Sequence, residues 1–597
     1  MSKRAAYLKA AEDLRGNPGQ WAAYESGGHC VVLAGPGSGK TKTLTIKLAR
    51  MLAEDIEEPR GLACITYNNE CARELEQRLE GLGIAPSERI FIGTVHSFSL
   101  TQIILPYAKV ARLGLPDDFE VANLQEQRGA LERAYDRVIG WGEDPHRMWK
   151  GPMERYRRSH LDRTVAAFHN DDSTCAELVL AYEEELRAQG LIDFDDMPLL
   201  ALRALKENVW LRRAIRAKYP ILAVDEYQDL GSALHSMVLG LCFSTGIRLF
   251  AVGDVDQSIY GFTGAKPELL RQLANREDVE TVPLRLNYRC GSSIVNASQL
   301  ALGEEKGYEA PTGAAEGTIY FKPLHGNYEQ HAHYIFETLI PNAIARLPGL
   351  EPGDIAILYP AAWIGNSIAD AAQAYGYGTV RADGNSHYPR SSRLMRWLEQ
   401  CATWCCSGWQ TGTPRFSRLV ANGELLFAET LASETEQNRF QRQLITFLWE
   451  RRDSTLDLHT WLTTFHQELL NDHLARSRTM SDERSTLNAF IEKSAPGNTC
   501  ADFTLGLFCG HGEGNNRINL TTLHSSKGRE FRFVVLFGMD DGRIPRNNAG
   551  EGEIREARRL FYVGFTRAEE EIHIIYSTNN PSPFVTELEG RIDADDA

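Results

Sequence analysis

Ala34-Gly35-Pro36-Gly37-Ser38-Gly39-Lys40-Thr41, near the start of the chain, has the residue types of a phosphate-binding loop. Its glycines let backbone N–H groups wrap phosphate oxygens where side chains would intrude. Lys40 can neutralise the β- and γ-phosphate oxygens, and the Thr41 hydroxyl can hold Mg²⁺. Ala34 stands where the strict form of the loop has glycine. A second chemical pair, Asp225-Glu226, follows the apolar run Ile221-Leu222-Ala223-Val224. A carboxylate at the end of a buried strand is costly unless a cation meets it. Mg²⁺ bridged to a nucleotide is the natural partner of Asp225. Glu226 is then placed to orient and deprotonate an attacking water. A nucleotide and Mg²⁺ are the cofactors these residues imply, and hydrolysis of the nucleotide's terminal phosphate is the reaction they would support.

Such residues need a rigid sheet behind them. Residues 30–34 read as a buried strand, the loop follows, and residues 41–54 read as a helix. Residues 62–67 and 91–95 repeat the strand signal with a helix between them. Strands alternating with helices predict a parallel, doubly wound α/β sheet. From 100 to 217 the chain turns to Glu, Arg and Leu at helical spacing. Strand signals return at 221–224 and 248–252, and a second α/β region starts near 283, with strands at 317–321 and 355–359. Residues 390–515 are again helical in pattern, and strands resume at 518–522, 533–537 and 572–576. The expected plan is two α/β cores, each interrupted by a helical insertion. The first core comprises 1–99 and 218–282, around an insertion at 100–217. The second comprises 283–389 and 516–580, around an insertion at 390–515. A short acidic tail covers 581–597, and its last residues, 590–597, are expected to fray.

A chain of 597 residues exceeds what one hydrophobic core supports. At 43% hydrophobic and 24% charged it has the composition of a soluble protein. No apolar run is long enough to span a bilayer, and no apolar stretch follows Lys3-Arg4 as in a signal peptide, so no membrane partner and a cytoplasmic location are expected. The 11 cysteines are odd in number and scattered, which argues against a disulfide framework. Cys401, Cys405 and Cys406 match no zinc spacing and read as buried thiols in a helix. The net charge of -16 argues mildly against bulk attraction for nucleic acid, but not against a narrow channel lined by donors and aromatics. Residues 146–163 hold Arg147, Lys150, Arg155, Arg157, Arg158 and Arg163 with Trp149 and Tyr156 interleaved. That stretch fits a grip on phosphates and a solvated helix face equally well.

Further segments follow in a set order. Gly19-Gln20 precede the phosphate loop. Ile65-Thr66-Tyr67-Asn68-Asn69 and Gly93-Thr94-Val95-His96-Ser97-Phe98 come after it. Then come Asp225-Glu226-Tyr227-Gln228-Asp229, the stretch from Val252 through Asp254-Val255-Asp256-Gln257 to Tyr260-Gly261, and Leu286-Asn287-Tyr288-Arg289. Thr521-Thr522-Leu523-His524 leads on to Glu530-Phe531, and Arg558-Arg559-Leu560-Phe561-Tyr562 to Thr566-Arg567. In this order the segments resemble the UvrD/Rep/PcrA branch of superfamily 1 helicases, from residue 17 to about 577.

The resemblance implies two RecA-like cores. It gives Gln20 the adenine edge, Tyr288 the adenine face and Glu530 the ribose. Gln257 would sense the γ-phosphate, and Arg289 and Arg567, both expected in the second core, would be arginine fingers. Thr66, Tyr67, Asn69, His96, Tyr260, Phe262 and His524 would contact nucleic acid. Two departures stand out: Phe262-Thr263 where the family has Trp-Arg, and Leu230-Gly231 where it has Thr-Asn. The activity implied is an ATP-dependent translocase or helicase on single-stranded DNA or its junctions with duplex, moving 3′ to 5′ and serving repair, recombination or replication restart with a repair partner. The compact second insertion and short tail motivate a second reading, the motor of an anti-phage system with a separate nuclease. A nucleotide-gated scaffold that is not a motor is a third, and an RNA substrate a minor fourth.

Overall fold

The first strands are β1 (His29–Ala34), β2 (Leu62–Thr66) and β3 (Ile90–Thr94). Two-residue strands β4 (Glu120–Val121) and β5 (Leu191–Ile192) pair with each other, and β6 (Ile221–Val224), β7 (Arg248–Gly253) and β8 (Val279–Leu284) follow. The computed structural model describes residues 3–595 except 67, 85–86, 88, 262–263, 382–387, 390, 413, 478, 499, 502 and 510–516. By its internal contacts the chain divides into two units, Met1–Gly317 with Gly550–Tyr562, and Thr318–Ala549 with Val563–Ala597.

In the first unit a six-stranded parallel sheet runs in the order β3-β2-β6-β7-β1-β8. Alternate residues face opposite sides. Val31, Ile65, Val224 and Ala251 meet Met197, Leu200, Leu234 and Met237 from helices Asp196–Glu207 and Ser232–Val238. Cys30, Val32, Cys64, Ala223 and Phe250 meet Leu44, Leu48 and Ala49 of helix Lys40–Arg50. Both faces are covered, which is why these strands read as unbroken apolar runs.

The region between β3 and β6 carries its own core, including Leu131, Tyr135, Phe168, Val179 and Leu186. Its basic stretch is spent internally. Arg157 is 0% exposed and reaches Glu183 at 3.0 Å, Asp193 at 2.7 Å and Asp196 at 3.0 Å. Arg163 pairs with Glu183, Arg158 with Asp195 and Lys150 with Glu154. Of the six, Arg147 and Arg155 are exposed and make no ion pair among the described residues. The expected phosphate grip is therefore mostly an internal clamp.

The second unit holds β9 (Thr318–Leu324), β10 (Ile355–Tyr359), β11 (Thr379–Arg381), β12 (Ile518–Thr522), β13 (Phe531–Phe537) and β14 (Ala568–Ser577). They form a parallel sheet in the order β11-β12-β10-β13-β14-β9. Between β11 and β12 a separate helical core gathers Trp397, Phe440, Phe447, Trp461 and Phe465. Cys401 and Cys405 are buried there, Cys405 Sγ donating to Leu448 O. No helix among the described residues is long and apolar enough to cross a membrane.

Three expectations change. Residues 590–595, expected to fray, continue a helix, Pro583–Asp595, that is anchored ahead of them by buried Phe584, Val585 and Leu588. The contact boundary falls after Gly317, not near 283, because Asn287 N donates to Glu309 O and Tyr288 N to Gly37 O, folding 286–309 back onto the first unit. Residues 550–562, expected in the second core, pack with the first unit.

Arg157→Met should cost about 3–5 kcal/mol, since it leaves three buried carboxylates short of a cation. Chemical denaturation of the variant should show the loss, and a change under 1 kcal/mol would mean the clamp is not structural.

Candidate functional site

Strand order explains how distant motifs converge. After the first insertion, β6 and β7 enter the sheet between β2 and β1. The carboxyl ends of β1, β6 and β7 thus lie side by side, and each continues into a chemical segment: the phosphate loop, Asp225-Glu226 and Asp254–Gln257. In open parallel sheets the crevice outside these ends is where ligands bind.

The loop needs its glycines. Gly37 has φ +63, and a Cβ there would lie 2.4 Å from Asn287 Oδ1 and 2.7 Å from Arg289 Cβ. Gly39 has φ +79 and caps helix Lys40–Arg50, whose free N–H groups favour an anion. Ser38 Oγ donates to Gly35 O at 2.7 Å and closes the loop. Lys40 Nζ is 3.9 Å from Glu226 Oε1. Ala34 and Pro36 are buried in the loop, and Thr41 is half-buried at the first turn of the helix.

Asp225 is 4% exposed, and burial followed by the charge of Glu226 pushes its carboxyl up to about 7. Asp254, 3% exposed, is raised to about 6 by burial, against the pull of Lys40. Glu226 has φ +50 and ψ 45, a conformation rarely adopted by a residue with a side chain, and such strain gathers at functional sites. Gln228 ties the carboxylates together: its Nε2 donates to Glu226 Oε2, and its Oε1 accepts from Asp254 N at 2.9 Å. Gln257 is buried and donates through Nε2 to Asp254 Oδ2 at 2.7 Å. Among Thr41, Asp225 and Asp254 the donors are hard oxygens on a buried, anionic wall, which fits Mg²⁺.

Asn17 caps helix Pro18–Glu25, accepting from Gly19 N and Gln20 N, and its Nδ2 donates to Tyr288 Oη at 3.1 Å. Gln20 is buried and donates through Nε2 to Ser38 O at 2.8 Å. Sequence reasoning missed Asn17 as a site residue, although Asn followed by Pro is a helix-start signal. It also passed over Gln228, Asp254 and Asn287 inside motifs it quoted. Asn287 Oδ1 accepts from Arg289 N and Cys290 N.

The first unit therefore brings together Gln20, the loop, Asp225, Glu226, Gln257, Tyr288 and Arg289. The placement of Arg289 in the second core is corrected, for the backbone bond from Tyr288 to Gly37 holds it beside the phosphate loop. Arg567, Glu530 and His524 belong to the second unit. There Arg567 is buried and donates to Val563 O, Arg529 O and Thr566 Oγ1 at 2.8–3.1 Å, and Glu530 is exposed.

Of the nucleic-acid candidates, Thr66 is fully buried and donates to Asn68 O at 2.9 Å, so it shapes the loop rather than reaching outward. His96 packs edge-on to Phe194, and burial lowers its pKa. It lines a cavity of about 400 Å³ with Asn68, Arg158, Asp195, Ser232 and Gly264. Tyr260 is half-buried. Tyr67, Phe262 and the side chain of Asn69 lie outside the described residues. His524 is largely buried, and burial, with Arg546 second, lowers its pKa to about 4.

Residues 16–278 match the family model of the UvrD/REP helicase N-terminal domain, and residues 439–579 that of the UvrD-like helicase C-terminal domain. The chain is 28% identical to the ATP-dependent DNA helicase Rep of Escherichia coli K12, over 94% of this chain and 90% of that protein. It is 24% identical to the ATP-dependent DNA helicase PcrA of Staphylococcus aureus MRSA252, over 94% of this chain and 84% of that protein. For PcrA of Leuconostoc citreum the identity is 25%, over 94% and 83%.

Two outcomes follow. Asn17→Ala should raise the KM for ATP about fivefold, the worth of a lost cap; steady-state kinetics with an unchanged KM would remove Asn17 from the nucleotide site. An unfolded histidine protonates near its ordinary value of 6.5, whereas folded His524 resists until about 4. Its stabilisation is thus full above pH 6.5 and is lost as pH falls through 4, about 3 kcal/mol in all. Denaturation of His524→Gln and the parent at pH 7.5 and 4.5 should show a smaller acid loss in the variant.

Proposed function

This chain belongs to the UvrD/Rep/PcrA-like helicases, and from that premise we propose that it is a single-stranded DNA translocase and helicase moving 3′ to 5′ at the expense of ATP and Mg²⁺. That it is an ATP-dependent DNA helicase in general rests on relatives that span nearly its whole length. One observation carries the chemistry: the phosphate loop, Asp225-Glu226 and Gln257 converge at the carboxyl ends of three adjacent strands of one sheet.

Lys40 and the loop N–H groups hold the phosphates, and Tyr288 and Gln20 the adenine. Thr41 and Asp225 would hold Mg²⁺, which supplies positive charge to the phosphate oxygens when bound. Glu226, fixed by Gln228 and near Lys40, orients the attacking water and takes its proton. Gln257 senses the terminal phosphate, and Arg289 neutralises charge that develops on it, as does Arg567 by the family pattern. Glu530 is assigned to the ribose. Tyr67, Asn69, His96, Tyr260, Phe262 and His524 are assigned to nucleic acid, where stacking is indifferent to sequence.

The pathway we assign is repair, recombination or replication restart. The anti-phage reading stands as the alternative, and a nuclease that copurifies with the protein would favour it. A non-motor scaffold has no need of the Lys40, Glu226 and Gln257 arrangement.

Single-stranded DNA should stimulate ATP hydrolysis by the wild-type protein. Lys40→Ala should abolish hydrolysis, by a factor on the order of 10² or more. Hydrolysis that is absent, or indifferent to DNA, refutes the motor reading.

A further inference from the structure

The Tyr260-Gly261 segment is held by a side chain from far along the chain. Glu556, on helix Glu551–Phe565, accepts a hydrogen bond from Gly261 N through Oε1 at 3.1 Å. Both residues belong to the first unit. The approach is close: a Cβ on Gly261 would lie 2.5 Å from Glu556 Oε2. Glycine is what lets the carboxylate sit on this peptide. Glu556 is half-buried, burial holds its carboxyl above the usual range, and Arg559 is the cation that offsets this. Arg558, beside it, donates to Ala301 O at 3.3 Å and fixes the helix against the first unit. A charge is therefore kept partly out of water to grip one loop N–H.

The other end of that loop runs to the hydrolytic residues. Ser258 Oγ donates to Gln228 O at 3.2 Å, and Gln257 Nε2 to Asp254 Oδ2 at 2.7 Å. Asp254 N donates to Gln228 Oε1 at 2.9 Å, and Gln228 Nε2 donates to Glu226. From Glu226 to Gly261 the path is an unbroken run of hydrogen bonds and peptide links, and Glu556 anchors its outer end. Contiguous hydrogen-bonded networks of this kind are one route by which coupling travels between sites.

We propose that Glu556 is a positioning residue that makes ATP hydrolysis responsive to DNA: it sets the Tyr260-Gly261 segment so that nucleic acid bound there is felt at Glu226. This rests on the DNA-motor reading above. Among the described contacts Glu556 touches neither the phosphate loop nor Glu226, so its loss should leave the basal reaction alone.

The test is the ratio of DNA-stimulated to basal ATP hydrolysis in Glu556→Ala, Glu556→Gln and Gly261→Ala. Glu556→Ala should lower the ratio about tenfold, within the range typical of coupling between sites, with basal kcat and the KM for ATP within about twofold of wild type. Glu556→Gln keeps an oxygen that accepts from Gly261 N and should retain the ratio. Gly261→Ala, whose Cβ displaces the carboxylate, should lose it as Glu556→Ala does. A wild-type ratio in Glu556→Ala overturns the proposal. So does equal loss of basal and stimulated rates, which marks a structural role, or a Glu556→Gln as impaired as Glu556→Ala. A wild-type enzyme that DNA does not stimulate at all instead refutes the motor reading, and this proposal falls with it.

Discussion

Burying a carboxylate in an apolar sheet is among the costliest things a fold can do, and the first unit does so at the ends of two neighbouring strands. Asp225 and Asp254 are 4% and 3% exposed, and burial raises both above the ordinary carboxylate range. The surroundings are arranged around that cost. Lys40 lies near enough to pull both carboxyls back towards the charged form. Gln228 donates through Nε2 to Glu226 and accepts through Oε1 from Asp254 N, and Lys306 stands 3.2 Å from Asp256. A wall of this kind gains stability from a divalent cation and a polyphosphate, so the demand for ligand is built into the sheet.

The first insertion meets the same constraint differently. Arg157 brings its own cation to Asp193, Asp196 and Glu183, and no ligand is called for. Burial pushes Asp193 and Glu183 up, but the charge of Arg157 and the hydrogen bonds each accepts, with Arg163 also beside Glu183, together outweigh it and hold both below the usual carboxylate range. Asp196, beside Asp193, is pushed the other way. Two buried acidic clusters in one unit thus separate into a closed one that holds structure and an open one to which we assign the chemistry.

Backbone geometry sets how closely segments remote in sequence approach. Gly37 admits Asn287 and Arg289 to the phosphate loop, and Gly261 admits Glu556 to the loop after β7. Each contact joins residues hundreds of positions apart, and each depends on a missing Cβ.

The phosphate loop and Asp225-Glu226 were legible because their chemistry is local: contiguous residues, a strand before and a turn after. The two parallel sheets and the helical character of the insertions were legible for a similar reason, since period 2 and period 3.6 are written in short windows. The basic stretch at 146–163 misled, because a sequence shows the charges but not the carboxylates that fold against them. Likewise residues 590–595, expected to fray, extend a helix, since its anchors Phe584, Val585 and Leu588 need a partner surface that no window contains. Arg289 went to the wrong unit because the deciding contact, Tyr288 N to Gly37 O, spans some 250 positions. Asn17 and Glu556 were invisible for the same reason, each acting through a hydrogen bond to a distant segment. The sequence by itself determined which groups can act on a phosphate and which elements carry them. Only the tertiary structure decided which charges are already neutralised and which remain to meet a ligand, because pairing depends on distance in space and not along the chain.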